Sequence, residues 1–137
     1  ELNFGKSSGR VHFEPAYAGA AGGKAEDGTA IMAVDSYMEK HGIRRLDILH
    51  VDTQGAELNV LKGASKAIAE RSIDYLFIST HNNRLHRNCV AFLRNHEYRI
   101  LADIDLLETY SHDGLIVACA PGKTSPGPMT LSRKGTF

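Results

Sequence analysis

Between Leu46 and Ala64 the chain changes its hydrophobic period, and the point of change is readable. Leu46 to Val51 is apolar and β-prone, as in a short buried strand, whereas from Ala56 onward Val60, Leu61, Ala64 and Ile68 recur at helical spacing. Asp52 lies at the junction and Gly55 in the turn. A strand that runs through such a turn into a helix is the first half of a βαβ unit, and these units build mostly parallel sheets covered by helices. Ligands on such sheets bind outside the carboxyl ends of the strands, where Asp52 would sit. Counting three, four and seven residues on from Glu57 gives Val60, Leu61 and Ala64, so Glu57 starts on the apolar stripe of the helix. From the first turn it is expected to point over the strand ends.

The stretch Val51-Asp-Thr-Gln-Gly-Ala-Glu-Leu-Asn-Val-Leu-Lys-Gly-Ala64 resembles the signature of the FkbM family of S-adenosylmethionine-dependent methyltransferases. That pattern reads roughly Ile-Asp-x-(Glu or Gln)-Gly-x-Glu-x-x-Val-Leu-x-Gly-Ala. Val34-Asp-Ser-Tyr-Met38 is similar to the Leu-Asp segment that precedes the family's strand, and Ile73 to His81 resembles its next strand. His50 stands where lysine is commoner, and Ser79-Thr80 where a Glu-x pair is frequent. The resemblance covers about residues 1–120 and only the latter half of the family's domain. It implies an α/β fold: the C-terminal portion of a Rossmann-like class I methyltransferase, with a mostly parallel sheet and an antiparallel last strand. Residues 1–120 are then a partial methyltransferase domain and residues 121–137 a flexible C-terminal tail.

Composition sets the outer bounds. A chain of 137 residues, 42% hydrophobic and 23% charged, fits one small globular domain. Its formal net charge of zero argues against a broad footprint for nucleic acid or anionic lipid. No apolar run approaches a bilayer-crossing length, and Glu1-Leu-Asn-Phe does not open a signal peptide, so the expected location is cytoplasmic. Cys89 and Cys119 fall in an expected helix and an expected strand and read as small core residues rather than a disulfide framework.

Along the chain, Arg10 to Phe13 reads as a short strand entered from a turn. In the family a similar Phe-Glu-Pro closes the second strand and its glutamate binds the cofactor ribose. Here only about twenty residues separate Pro15 from Asp35, so Phe13-Glu14-Pro15 is expected in a hairpin or loop, with Glu14 solvated. Asp35 or Ser36 should cap a short helix through His41 that Gly42 ends. One helix from Ala56 to about Arg71 should follow the strand Leu46 to Val51. Further strands are expected over Ile73 to Ile78, Tyr98 to Leu101 and Leu115 to Ala120, and a helix over Asn88 to Asn95. Ser79 to Arg84 should be a loop, and from Pro121 the composition predicts a disordered or extended tail.

The glycine-rich turn that normally cradles a nucleoside cofactor is absent: Gly19, Gly22 and Gly23 lie in a loop with no apolar strand before them. By resemblance S-adenosylmethionine is the cofactor, with most of its site missing from this chain and its binding residues unassigned. Methyl transfer to a hydroxyl needs positioning and a base. Asp52, Glu57 and His81 are the catalytic candidates, and Gln54 and Asn82 the substrate-contacting ones. Each has a plainer reading. Asp52 would hold the turn, Glu57 would be an acid favoured by the helix N-terminus, worth ~0.3 to 1 kcal/mol, and His81 would be a loop histidine bonded to backbone. His50 is expected to pack against a helix, His86, His96 and His112 show no ligand spacing, and no metal is assigned. Two functions stand side by side: part of a methyltransferase acting on a hydroxyl of a small molecule, sugar or glycan, or a non-catalytic interaction module that kept the sheet. An unpaired edge on the strand ending at Asp52 further predicts a homo-oligomer or a separate N-terminal half.

Overall fold

The computed structural model describes residues 11–124 and 131–135. Among these residues, two sheets and four helices make up the fold. A small sheet in the order β1-β3-β2 is built from Ala16–Ala18 (β1), Gly23–Lys24 (β2) and Ala30–Met32 (β3), with β1 parallel and β2 antiparallel to β3. Helix α1 (Val34–Lys40) leads into Leu46–Val51 (β4), and α2 (Glu57–Gly63) and α3 (Ser65–Ala69) lead into Ile73–Thr80 (β5). Helix α4 (Asn83–Asn95), Arg99–Ile104 (β6) and Gly114–Cys119 (β7) complete the second sheet, whose order is β4-β5-β7-β6.

The period change falls where the sequence puts it, since β4 ends at Val51 and α2 begins at Glu57. The expectation of a mostly parallel sheet needs correction. Within the four-stranded sheet, as far as the described residues go, only β4 and β5 pair in parallel; β7 runs antiparallel to both β5 and β6. The last strand is reversed as expected, but it inserts between two strands instead of adding at an edge, and so a single reversed strand turns two neighbour relations antiparallel. Strand β4 is left as an edge of its sheet.

The core lies on one sheet face, where Val51, Leu76, Ile78, Ile116 and Ala118 meet Leu61 and Ile68 of α2 and α3 and Cys89 and Leu93 of α4. The opposite face stays more open, with Ile48 58% and Phe77 36% exposed. His50, paired in register with Phe77, is exposed there and not packed against a helix, because it points away from the face that carries Val51, Leu61 and Ile68. Both cysteines are buried and free.

Several local expectations change. Val11 to Phe13 form no strand, and Arg10 lies outside the described residues. The expected helix from Ala56 to Arg71 is two helices that meet at Ala64. Asp35 explains the break: it does not cap its own helix, which starts from Ala33 without a side-chain cap, but accepts from Lys66 N and Ala67 N at 2.8 and 2.9 Å and so starts α3. Gly63 fixes the approach on the other side. A Cβ there would stand 2.0 Å from the Gly19 carbonyl oxygen, so only glycine lets α2 lie against the small sheet. Helix α4 starts five residues earlier than expected because Asn82 caps it. Of the expected tail, residues 125–130 and 136–137 lie outside the described residues. Within 131–135, Arg133 pairs with Glu108 and donates to the Asp103 carbonyl at 3.1 Å, while Lys134 N donates to the Glu108 carbonyl at 2.7 Å.

Candidate functional site at the ends of strands 4 and 5

The turn between β4 and α2 is built around one carboxylate. Gln54 and Gly55 take positive φ (53° and 109°), a region that glycine enters freely and glutamine rarely, and the turn thereby directs its amides at Glu57. Glu57 Oε1 accepts from Gly55 N at 2.9 Å, Thr53 N at 3.1 Å and the Thr53 hydroxyl at 3.3 Å. The side chain is fully buried and its second oxygen, Oε2, has no partner among the described residues. Burial by itself would push this carboxyl up, but the amides of Gly55, Glu57 itself and Thr53, together with His81, outweigh it and hold the group below the ordinary range. Glu57 is therefore an ionised carboxylate sealed in the protein.

Its one side-chain partner from another element is His81, which follows the last residue of β5 and brings Nδ1 to 2.8 Å from Glu57 Oε1. An ionised carboxylate can only accept, so Nδ1 carries the hydrogen and the lone pair of a neutral ring lies on Nε2. Nε2 faces Asp52 Oδ1 at 3.4 Å and Asp113 Oδ1 at 3.5 Å without meeting hydrogen-bond geometry with either. These aspartates are 42% and 36% exposed, whereas Glu57 is not exposed at all. The result is a graded set: a buried acid, an imidazole oriented by it, and two solvent-facing carboxylates beyond.

The structure thus brings Asp52, Glu57 and His81 together. Gln54 stands beside them, its Nε2 at 3.5 Å from Asp52 Oδ1. Asn82 is engaged otherwise, its Oδ1 accepting from Leu85 N at 2.8 Å as the cap of α4. Asp113 was missed, although the reversed last strand is the signal for it: Gly114 at the start of β7 pairs with Thr80 at the end of β5, which sets Asp113 beside His81. A second buried network underlies the same strand end. His86 Nε2 lies 2.9 Å from Asp103 Oδ1 and Nδ1 lies 2.8 Å from the Thr80 hydroxyl, so with Nε2–H donating to the carboxylate, Nδ1 accepts from Thr80. Gly114 makes room for it, since a Cβ there would meet Thr80 Oγ1 at 2.6 Å and His86 Nδ1 at 2.8 Å.

The Thr53 and Gly55 amides are consumed by Glu57, and Gly19 serves the close approach of α2. With Nδ1 of His81 committed to Glu57, Nε2 is the ring nitrogen left over; it is buried and has no hydrogen-bond partner among the described residues.

No curated protein and no solved structure matches the chain. The sequence model of the methyltransferase FkbM domain matches residues 7–100, well over half of the chain. The matched span takes in the turn, the buried glutamate and the histidine that it orients. The protein belongs to the FkbM methyltransferase family.

Proposed function

We propose that this chain supplies the acceptor side of an S-adenosylmethionine-dependent O-methyltransferase, with a hydroxyl of a small molecule, sugar or glycan as the methyl acceptor. In this reading His81 Nε2 takes the hydroxyl proton as the oxygen becomes the nucleophile. Glu57 fixes the ring and the tautomer, and Asp52 and Asp113 accept from neighbouring hydroxyls and face the imidazolium that forms. The observation that carries the reading is the buried, ionised Glu57 bonded to His81. A carboxylate with one oxygen unpartnered is costly to bury, and such groups concentrate where chemistry needs them. The four-stranded sheet supports a Rossmann-like class I assignment, since β4, β5 and β6 run one way and β7 the other. The rest of the donor site would come from outside the described residues, from a separate N-terminal half or a second copy along the free edge of β4. We place the protein in the cytoplasm; among the described residues no helix is long and apolar enough to cross a membrane.

Calorimetric titration with S-adenosylmethionine, followed by release of S-adenosylhomocysteine over a panel of polyols and sugars, tests this. Binding and turnover are expected, with His81→Gln lowering turnover by about 10²- to 10⁴-fold and leaving donor binding in place. A chain that neither binds the donor nor transfers methyl groups would overturn the reading.

A further inference from the structure

A second constellation has no part in that chemistry. His12 and Glu14 lie in the irregular stretch 11–15, and His41 caps the carboxyl end of α1 beside them. Glu14 Oε2 lies 3.6 Å from His12 Nε2 and 3.5 Å from His41 Nε2. One donor atom from each residue falls within 4.8 Å of the others. The two imidazoles are 4.7 Å apart between ring centroids, and Tyr37 packs 4.5 Å from His41.

We propose that His12, Glu14 and His41 form a site for a divalent transition metal of the zinc class, which staples residues 11–15 to α1. Two imidazole nitrogens and one carboxylate oxygen are the donors of such ions, whereas magnesium and calcium demand oxygen. Metal bonds of about 2.0 to 2.1 Å in a tetrahedral shell put donors about 3.3 Å apart, so the two spacings from Glu14 need only a small contraction and the imidazoles close in by turning about their side-chain bonds. Three protein donors leave a fourth position for water or an outside ligand. His12 and Glu14 also line a groove of about 330 Å³ together with Tyr37, Leu46 and Ile48, beside the edge strand β4. The staple thus anchors an otherwise irregular segment where the sheet is open.

Lys40 supplies the discriminating feature. Its Nζ donates to the two Glu14 oxygens at 3.1 and 3.0 Å. The ammonium occupies the carboxylate that the metal needs. Its side chain is 52% exposed and free to swing into solvent, so metal and ammonium compete for Glu14.

Zinc titration of the full chain by calorimetry, with cobalt absorption as the coordination readout, tests the assignment. One zinc per chain is expected. His12→Ala and His41→Ala should each weaken it roughly tenfold or more, since even outer-shell partners of a metal are worth that much, and Lys40→Ala should tighten it several-fold. All three positions are on the surface side of the fold, so the variants keep the wild-type far-ultraviolet spectrum. Absence of stoichiometric zinc binding overturns the proposal, as does binding that His81→Ala abolishes while His12→Ala and His41→Ala leave it intact. Weaker binding in Lys40→Ala would overturn it too, because it would make the lysine a support rather than a competitor.

Discussion

Removing the Glu57 side chain tests whether the turn after β4 is held by one buried carboxylate. Glu57→Ala removes the acceptor of Thr53 N–H and Gly55 N–H, and a hydrogen bond to a charged group is worth ~1.5 to 3 kcal/mol. Relief from burying a charge offsets part of that, so the net loss is about 2 to 4 kcal/mol. For a chain of this size a urea slope of roughly 1 to 3 kcal/mol per molar turns this into a midpoint about 1 to 2 M lower. Glu57→Gln keeps an acceptor oxygen but loses the charge, and charge-assisted bonds are about twice as strong as neutral ones, so its cost is about 1 to 2 kcal/mol. The two variants are therefore ordered. The sign with pH follows from the direction of the shift. A carboxyl held below its ordinary 4.5 contributes stability that is fully present above that value and is lost as pH falls through the lower folded value. The gap between wild type and Glu57→Gln is thus constant near neutrality and closes in acid. Urea melts of the three proteins at neutral pH and at a series of acid values are the assay. If Ala and Gln are equally destabilised, or if the wild-type advantage grows in acid, the carboxylate is not what the amides bind.

Gly63→Ala drives a Cβ to 2.0 Å from the Gly19 carbonyl, and neither partner is a flexible side-chain end. A loss of ~1 to 3 kcal/mol or more is expected in a urea melt, and a neutral result would show that α2 does not rest on the small sheet. Asp35→Ala removes the side chain that caps α3 and should lower stability by about 1 kcal/mol. Asp35→Asn should recover part of it in thermal unfolding, because one oxygen remains to accept. Burial, and then the charge of Glu57, push the Cys89 thiol up to about 12, and Cys119 is fully buried as well. A thiol reagent should therefore label neither cysteine in the native protein and both after denaturation; fast native labelling of Cys89 would mean that the packing of α4 on the sheet opens readily.

The sequence by itself determined the parts of this protein that depend on near neighbours. The switch from an apolar, β-prone run to helical spacing around Asp52 fixed β4 and the start of α2 almost to the residue, because which face a side chain joins is set by counting along the chain. It also marked Glu57 as an acid on an apolar stripe, while the reversal of the last strand came from the family resemblance. Tertiary structure decided what depends on which elements meet. Asp35 had every mark of a cap for its own helix, yet it caps α3, more than thirty residues away. Glu14 had the look of a solvated side chain and instead meets Lys40, His12 and His41. Asp113 became a neighbour of His81 only because β7 inserts beside β5, and that insertion also made the sheet mixed rather than mostly parallel. Hydrophobic period assigns a residue to a face, but it does not say which strand lies next to it. The partners of a polar side chain follow from that second fact.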